Sequence, residues 1–172
     1  MFKNKIAPIA IFAYNRSTHF AKTIQSLSKC DGFGESPITI YIDGPKNSED
    51  EKKISKVRNI ANELLGNYAE IKCRSSNIGL AESITLGVKE QLDVHDSIIV
   101  LEDDLLLSQN FLVFMSMALR HYAHDKNVFQ ISGFSYDISK LGSSNSAFFM
   151  PFTSTWGWAT WASKWKTMYP ML

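Results

Sequence analysis

Ser97-Ile98-Ile99-Val100-Leu101-Glu102-Asp103-Asp104 decides how this chain of 172 residues is read. An apolar, mostly β-branched run passes straight into three consecutive carboxylates. The apolar part predicts a strand buried on both faces of a parallel sheet. Adjacent acids at its C-terminal end repel one another unless a positive charge sits among them. Ligands of open α/β sheets bind outside the carboxyl ends of the strands. A divalent cation with oxygen ligands satisfies both conditions. A solvated acidic strand end that simply opens a loop is the plainer reading and stays open, because such spacing identifies no metal site by itself.

Outward from this stretch, the chain alternates between two periods. Residues 7–13 predict a first buried strand, followed by the polar turn Tyr14-Asn15-Arg16-Ser17. Ser17 is placed to cap a helix with Phe20, Ile24 and Leu27 on one face. Residues 38–42 predict a second strand, ending at Asp43-Gly44-Pro45. Ser48 and Glu51 form a capping box for a helix with the stripe Ile54, Val57, Ala61 and Leu64. Residues 69–73 predict a third strand. The turn Asn77-Ile78-Gly79 then leads into a helix carrying Leu80, Ile84, Val88 and Leu92. After the acidic stretch, Ser108 begins a helix with Phe111, Phe114, Met115 and Leu119 inward. Strands are expected at 128–133 and 148–150, with a Ser- and Gly-rich loop over 135–145 between them. A short helix is expected over 163–168. The β-α-β-α-β-α-β-α-β order is that of a mostly parallel, Rossmann-like α/β sheet flanked by helices.

Composition narrows the class. With 45% hydrophobic and 20% charged residues, the chain matches a globular domain of ordinary core size. A net charge of +1 gives no general case for nucleic acid or an anionic membrane. No apolar run is long enough to span a bilayer, and 6–13 reads as a strand rather than a signal segment. Cys30 and Cys73 lie far apart with no metal-type spacing, so reduced thiols and a cytoplasmic compartment are expected.

Parallel strands bring their polar ends to one sheet edge: Asn15-Arg16, Asp43, the turn Asn77–Gly79, and Glu102-Asp103-Asp104. Arg16 with Asp43 can hold a base or ribose through charged hydrogen bonds, and the acids can hold a metal that neutralises a diphosphate. Gly79 allows close approach of a ligand, and the helix N-terminus after it favours anions. Taken singly, each has a plainer reading: Arg16 as a surface ion pair, Asp43 as a turn former, Asn77 as a cap. The turn after the first strand lacks Gly-x-Gly-x-x-Gly, which disfavours a dinucleotide-dependent redox enzyme.

The same residues carry a family resemblance over nearly the whole chain. IAIFAYNRS resembles the opening strand of GT-A fold glycosyltransferases, and NIGLAESITLGV resembles their N-x-G-x-x-x-x-x-N-x-G segment, with Thr85 where Asn is usual. LEDDLLLSQNFL, DKNVFQISGFSYD and FFMPFTSTWGWATWASKW resemble the N-acetylglucosaminyltransferase I group and bacterial family 2-like enzymes. The resemblance implies a metal-dependent, inverting transfer of a sugar from a nucleotide-diphosphate sugar, with UDP favoured, to a glycan or glycoconjugate acceptor in polysaccharide synthesis. It implies that Arg16 and Asp43 contact the base and its surroundings. Glu102 would reach the donor sugar, Asp103 the ribose or sugar, and Asp104 would coordinate Mn²⁺ or Mg²⁺. Asn15, Asn77 and Gly79 would join this nucleotide-sugar site, and Trp156, Gly157 and Trp158 would shape the sugar and acceptor pocket; the three tryptophans at 156, 158 and 161 also read as core.

An inverting enzyme needs a carboxylate base for the acceptor hydroxyl. In the resembling enzymes it lies downstream of the Gly-Trp segment, which places it beyond Leu172; residues 1–172 are then expected to be one donor-binding domain of a longer protein. Asp125 and Asp137 are not candidates, one ending a helix and the other lying in a loop. Two other readings stay open. A nucleotidyltransferase would want a Gly-rich loop where this chain has Asn15-Arg16-Ser17. A nucleotide-sugar-binding module without turnover would need no base.

Overall fold

Every residue of strands β1 (Ile9–Ala13) and β2 (Ile38–Ile42) is buried. Unbroken apolar runs demand this, because such strands need cover on both faces. The computed structural model describes residues 6–135 and 147–168, and helices supply cover on both sides. After β1 come α1 (Ser17–Leu27), β2, α2 (Ser48–Leu65), β3 (Ala69–Cys73), α3 (Leu80–Leu92) and β4 (Ser97–Glu102). Then follow α4 (Phe111–His121), β5 (Ile131–Ser132), β6 (Trp158–Trp161) and α5 (Ala162–Met168). The strands form one six-stranded sheet in the order β3-β2-β1-β4-β6-β5. β1 is parallel to both β2 and β4, and β2 to β3, whereas β6 runs antiparallel to β4 and β5. The chain is therefore α/β with a mostly parallel sheet, as expected.

Strand alternation divides the core in two. Ile9, Ile11, Ile38, Ile40, Ile99 and Leu101 face α1, α2 and α4, packing on Phe20, Ile24, Ile54, Val57 and Leu112. Ala10, Phe12, Tyr41, Ile98, Val100 and Trp158 face the other way, onto Val88 and Leu92 of α3 and Trp165 of α5. Each fully buried aliphatic or aromatic side chain here contributes about 1.5–3 kcal/mol through removal from water. Gln91, buried among them, donates from Nε2 to Thr39 Oγ1 at 3.1 Å and to Tyr41 Oη at 2.9 Å, so its amide is not left unsatisfied. Both cysteines are free, and burial pushes the Cys30 thiol up to about 11. Among the described residues no helix is long and apolar enough to cross a membrane.

The differences from the sequence reading lie at boundaries and at the C-terminal end. Residues 148–150 form no strand; all three side chains are exposed. The free edge of β4 is instead taken by Trp158–Trp161, where alternation puts Trp158 and Trp161 into opposite cores. Of 128–133 only Ile131–Ser132 pairs. Asn47, not Ser48, caps α2, its side chain accepting from the N–H groups of Glu49 and Asp50. Ser17 is the first residue of α1, and no side chain caps that helix. The helix after the acidic stretch begins three residues later than expected: the Ser108 carbonyl accepts the Phe111 N–H and α4 starts at Phe111. Leu64, Leu80 and Phe114 are exposed. In α2 the buried position is Leu65 instead, since a 3.6-residue period drifts against integer spacing over a helix of this length. The expected loop over 135–145 falls, from residue 136 on and including Asp137, outside the described residues.

Candidate functional site

The chain leaves β1 towards β2 and β3 on one side and comes back to β4 on the other. The crevice between the C-terminal ends of β1 and β4 is thus the point where strand order reverses, the place where such sheets bind ligands. Phe12 stands opposite Glu102, so the next residues of each strand end meet: Tyr14-Asn15-Arg16 faces Asp103-Asp104.

Arg16 bridges the two acids. Its Nη1 donates to Asp104 Oδ2 at 2.9 Å and its Nη2 to Asp103 Oδ1. The acids differ in setting. The Asp103 side chain is 3% exposed, and its other oxygen accepts the Tyr14 N–H at 3.4 Å. The Asp104 side chain is 39% exposed, so its pairing with Arg16 is a surface ion pair of about 0–1 kcal/mol. Glu102 sits behind them. Its carboxyl titrates above the usual range, raised first by burial and then by the charges of Asp104 and Asp103, against the opposing pull of Arg16.

A cleft of about 460 Å³ opens beside Asp104, walled by Leu105, Leu106, Leu107 and Ser108, by Phe111 at the start of α4, and by Phe134 and Trp156. The acidic loop is tied down along α1: Thr23 Oγ1 accepts the Leu105 N–H at 3.1 Å and Ser26 Oγ the Leu107 N–H at 3.1 Å. Across the cleft, Trp156 stands edge-on to Phe134, ring centroids 4.6 Å apart. Gly157, at φ 66°, accepts the Gly133 N–H on its carbonyl at 2.7 Å. A side chain on Gly133 would collide with the Phe111 ring. Trp158 does not reach this cleft; strand alternation turns it into the core on the α3 side. Of the expected aromatic segment, Trp156 and Gly157 line the site and Trp158 is structural.

A second cluster fastens the neighbouring strand end. Asp43, 4% exposed, accepts from the N–H groups of Gly44 and Ile78 on Oδ1, and from Gly79 N–H and Asn77 Nδ2 on Oδ2. These bonds occupy its lone pairs. Asp43 and Asn77, expected as ligand arms, here lock the end of β2 to the entry of α3. Gly79, at φ 86°, has open space where a Cβ would stand. A third cluster holds Asn15, whose Nδ2 donates to Asp50 Oδ1 at 2.9 Å, while Tyr14 Oη donates to Asp50 Oδ2 at 2.5 Å. Burial and the Asp50 bond push the Tyr14 hydroxyl up to about 12. The sequence reading missed Tyr14, Thr23, Ser26 and Asp50. Thr23 and Ser26 left a signal, two hydroxyls at i, i+3 beside the apolar stripe of α1; Asp50 left none, being one acid in an acidic helix start.

Among the described residues no group of three or more His, Cys, Asp or Glu side chains makes a cage for a metal. The donor set at the cleft fits a different arrangement. Asp104 offers a hard, solvent-reached carboxylate with one oxygen not bonded to Arg16. Small hard cations are commonly held by one or two carboxylates plus substrate phosphates rather than by the protein alone.

No protein-family model and no curated protein sequence matches the chain. Solved structures do. The mannosyltransferase PcManGT from Pyrobaculum calidifontis, in complex with GDP-Man and Mn²⁺, superposes with a TM-score of 0.64 at 11% identity, over 97% of this chain and 47% of that one. The galactosyltransferase LgtC, in complex with donor and acceptor sugar analogs, gives 0.52 at 11% identity, over 93% and 59%. The 4-diphosphocytidyl-2C-methyl-D-erythritol synthase from Anaerococcus prevotii gives 0.53 at 14% identity, over 98% and 75%. The chain spans about half the length of PcManGT. At such identities the likeness concerns the fold, and that fold is the GT-A, Rossmann-like fold of nucleotide-diphospho-sugar glycosyltransferases.

Proposed function

We propose that this chain is the donor-binding domain of a metal-dependent, inverting glycosyltransferase that takes a nucleotide-diphosphate sugar, UDP-linked by preference, and serves a glycan or glycoconjugate acceptor. The observation that carries this is the position of Asp104: it is at the β1/β4 switch point, exposed, opposite Arg16 and on the wall of the cleft. Asp104 would hold Mn²⁺ or Mg²⁺ together with the donor diphosphate. The bound cation would stabilise the charge of the departing nucleoside diphosphate. Arg16 supplies a second positive group at the same place. The cleft beyond Asp104 takes the sugar, with Trp156 and Phe134 offering ring surface to the apolar C–H face of a pyranose. Displacement at the anomeric carbon through an oxocarbenium-like state then needs a base for the acceptor hydroxyl. Apart from Asp104, no acid among the described residues lines the cleft.

Titration calorimetry with UDP and GDP, each with and without Mn²⁺, tests the reading on the wild-type chain and on Asp104→Ala. Nucleoside diphosphate binding should tighten about tenfold or more with Mn²⁺ and lose that gain in the variant. Binding that ignores Mn²⁺, or none for either nucleotide, would remove the proposal. A second reading, nucleotidyl transfer, is supported by the fold likeness to the Anaerococcus prevotii enzyme and opposed by the absence of a Gly-rich loop after β1. Preference for a nucleoside triphosphate over the diphosphate would favour it.

A further inference from the structure

We infer that Arg16 is an exchangeable counter-ion: it holds Asp104 while no divalent cation is bound, and yields that carboxylate when a cation arrives together with a diphosphate. The inference rests on the donor-site reading above. Its basis is an asymmetry within one guanidinium. Nη2 is bonded to Asp103, whose side chain is 3% exposed and whose second oxygen is taken by the Tyr14 N–H. Nη1 is bonded to Asp104, 39% exposed, and the Arg16 side chain is itself 45% exposed. Withdrawing Arg16 from Asp103 would strand a buried carboxylate. Withdrawing it from Asp104 leaves a solvated one, at little cost. Exchange therefore takes place at Asp104, and the Asp103 pair is the pivot.

The consequence is coupling between two ligands. A cation arriving alone meets the positive charge of Arg16 at the carboxylate it needs, and that repulsion lowers its affinity. A cation arriving with a diphosphate gives the freed Nη1 an anion to bond, so the displaced charge keeps a partner. Each ligand thus raises the affinity of the other, by the same factor in both directions. The site declines free metal and takes metal with nucleotide. Arg16 acts here as a positioning residue for the cation and not as a ligand to it.

The test is Mn²⁺ binding read from the electron paramagnetic resonance of free Mn²⁺, with and without UDP and corrected for the Mn²⁺ that UDP binds alone. Without nucleotide, Arg16→Gln should bind Mn²⁺ about tenfold tighter than the wild type. It should also lose most of the gain that UDP brings to the wild type. Arg16→Lys keeps the charge and should resemble the wild type for Mn²⁺ alone. Circular dichroism checks folding. If Arg16→Gln fails to fold, the double variant Arg16→Gln/Asp103→Asn removes the buried charge along with its partner; the net charge beside Asp104 is then unchanged, and the loss of the competing Arg16 bond alone should tighten Mn²⁺ by about threefold. Equal Mn²⁺ affinity with and without Arg16, in a protein whose UDP binding still needs Mn²⁺, overturns the counter-ion role and leaves the donor site standing. No Mn²⁺ binding in any variant, with or without UDP, overturns both.

Discussion

The carboxylate of Asp43 accepts the backbone N–H of Gly79 at 3.0 Å, joining residues 36 positions apart. The same side chain takes the N–H groups of Gly44 and Ile78. The end of β2 and the entry of α3 are one unit because of it. The floor beside the β1/β4 crevice is fixed with them, since the Asp43 N–H donates to Ala13 O at the end of β1.

Asp43→Ala should accordingly lower stability by about 2–4 kcal/mol, because it leaves several N–H groups without an acceptor in a buried setting. Asp43→Asn should cost nearly as much, since its amide NH₂ would point at donors. Urea unfolding would show a lower midpoint at unchanged slope. A stability loss below about 1 kcal/mol would mean that water replaces the carboxylate and that Asp43 is free for a ligand after all.

How far this arrangement could be read from residues alone follows from what each signal depends on. β1, β2 and β4 were legible because IAIFA, ITIYI and SIIVLE are runs apolar on both faces, the pattern of strands covered by helices on both sides. The meeting of Arg16 with Asp103 and Asp104 was legible too, as parallel strands must deliver their ends to one edge. The strand at Trp158–Trp161 was not. Its residues are buried on both faces like the others, but a four-residue run framed by glycine and a helix has no period to read. Asp43 was legible as a strand-end acid but not as a fastener, because three of its four partners come from a turn 34 to 36 residues away. The capping box at Ser48 was misplaced by one residue because Asn47 offers the same chemistry one position earlier.

The acidic loop is held by hydroxyls of α1, and loosening them should loosen the site without touching a ligand group. Thr23→Val with Ser26→Ala removes the acceptors of the Leu105 and Leu107 N–H groups. Each lost bond should cost about 1 kcal/mol. Hydrogen exchange at the amides of Leu105 and Leu107 should accelerate more than exchange in β4. UDP affinity in the presence of Mn²⁺ should fall, though by less than in Asp104→Ala. Unchanged exchange at both amides would show that the loop is held by its own packing on Phe111 and not by the hydroxyls.

Tyr14 and Asp50 should set the pH limits of this end of the sheet. The Tyr14 hydroxyl is raised from 10.0 to about 12, by burial and then by its bond to Asp50. The folded state therefore keeps a proton that the unfolded chain loses, so this contribution is whole below pH 10 and is lost as pH rises towards 12. Asp50 shifts the other way, lowered from 3.8 chiefly by the Tyr14 hydrogen bond and next by that of Asn15. Its contribution is present above that value and is lost as pH falls through the folded one. Tyr14→Phe deletes the first effect and the main cause of the second. It should lower the melting temperature near neutral pH and flatten its decline at both extremes. Melting curves from about pH 3 to about pH 11 would check this. Curves for variant and wild type that run parallel throughout would show that this pair does not govern the titration, and that other groups set both limits.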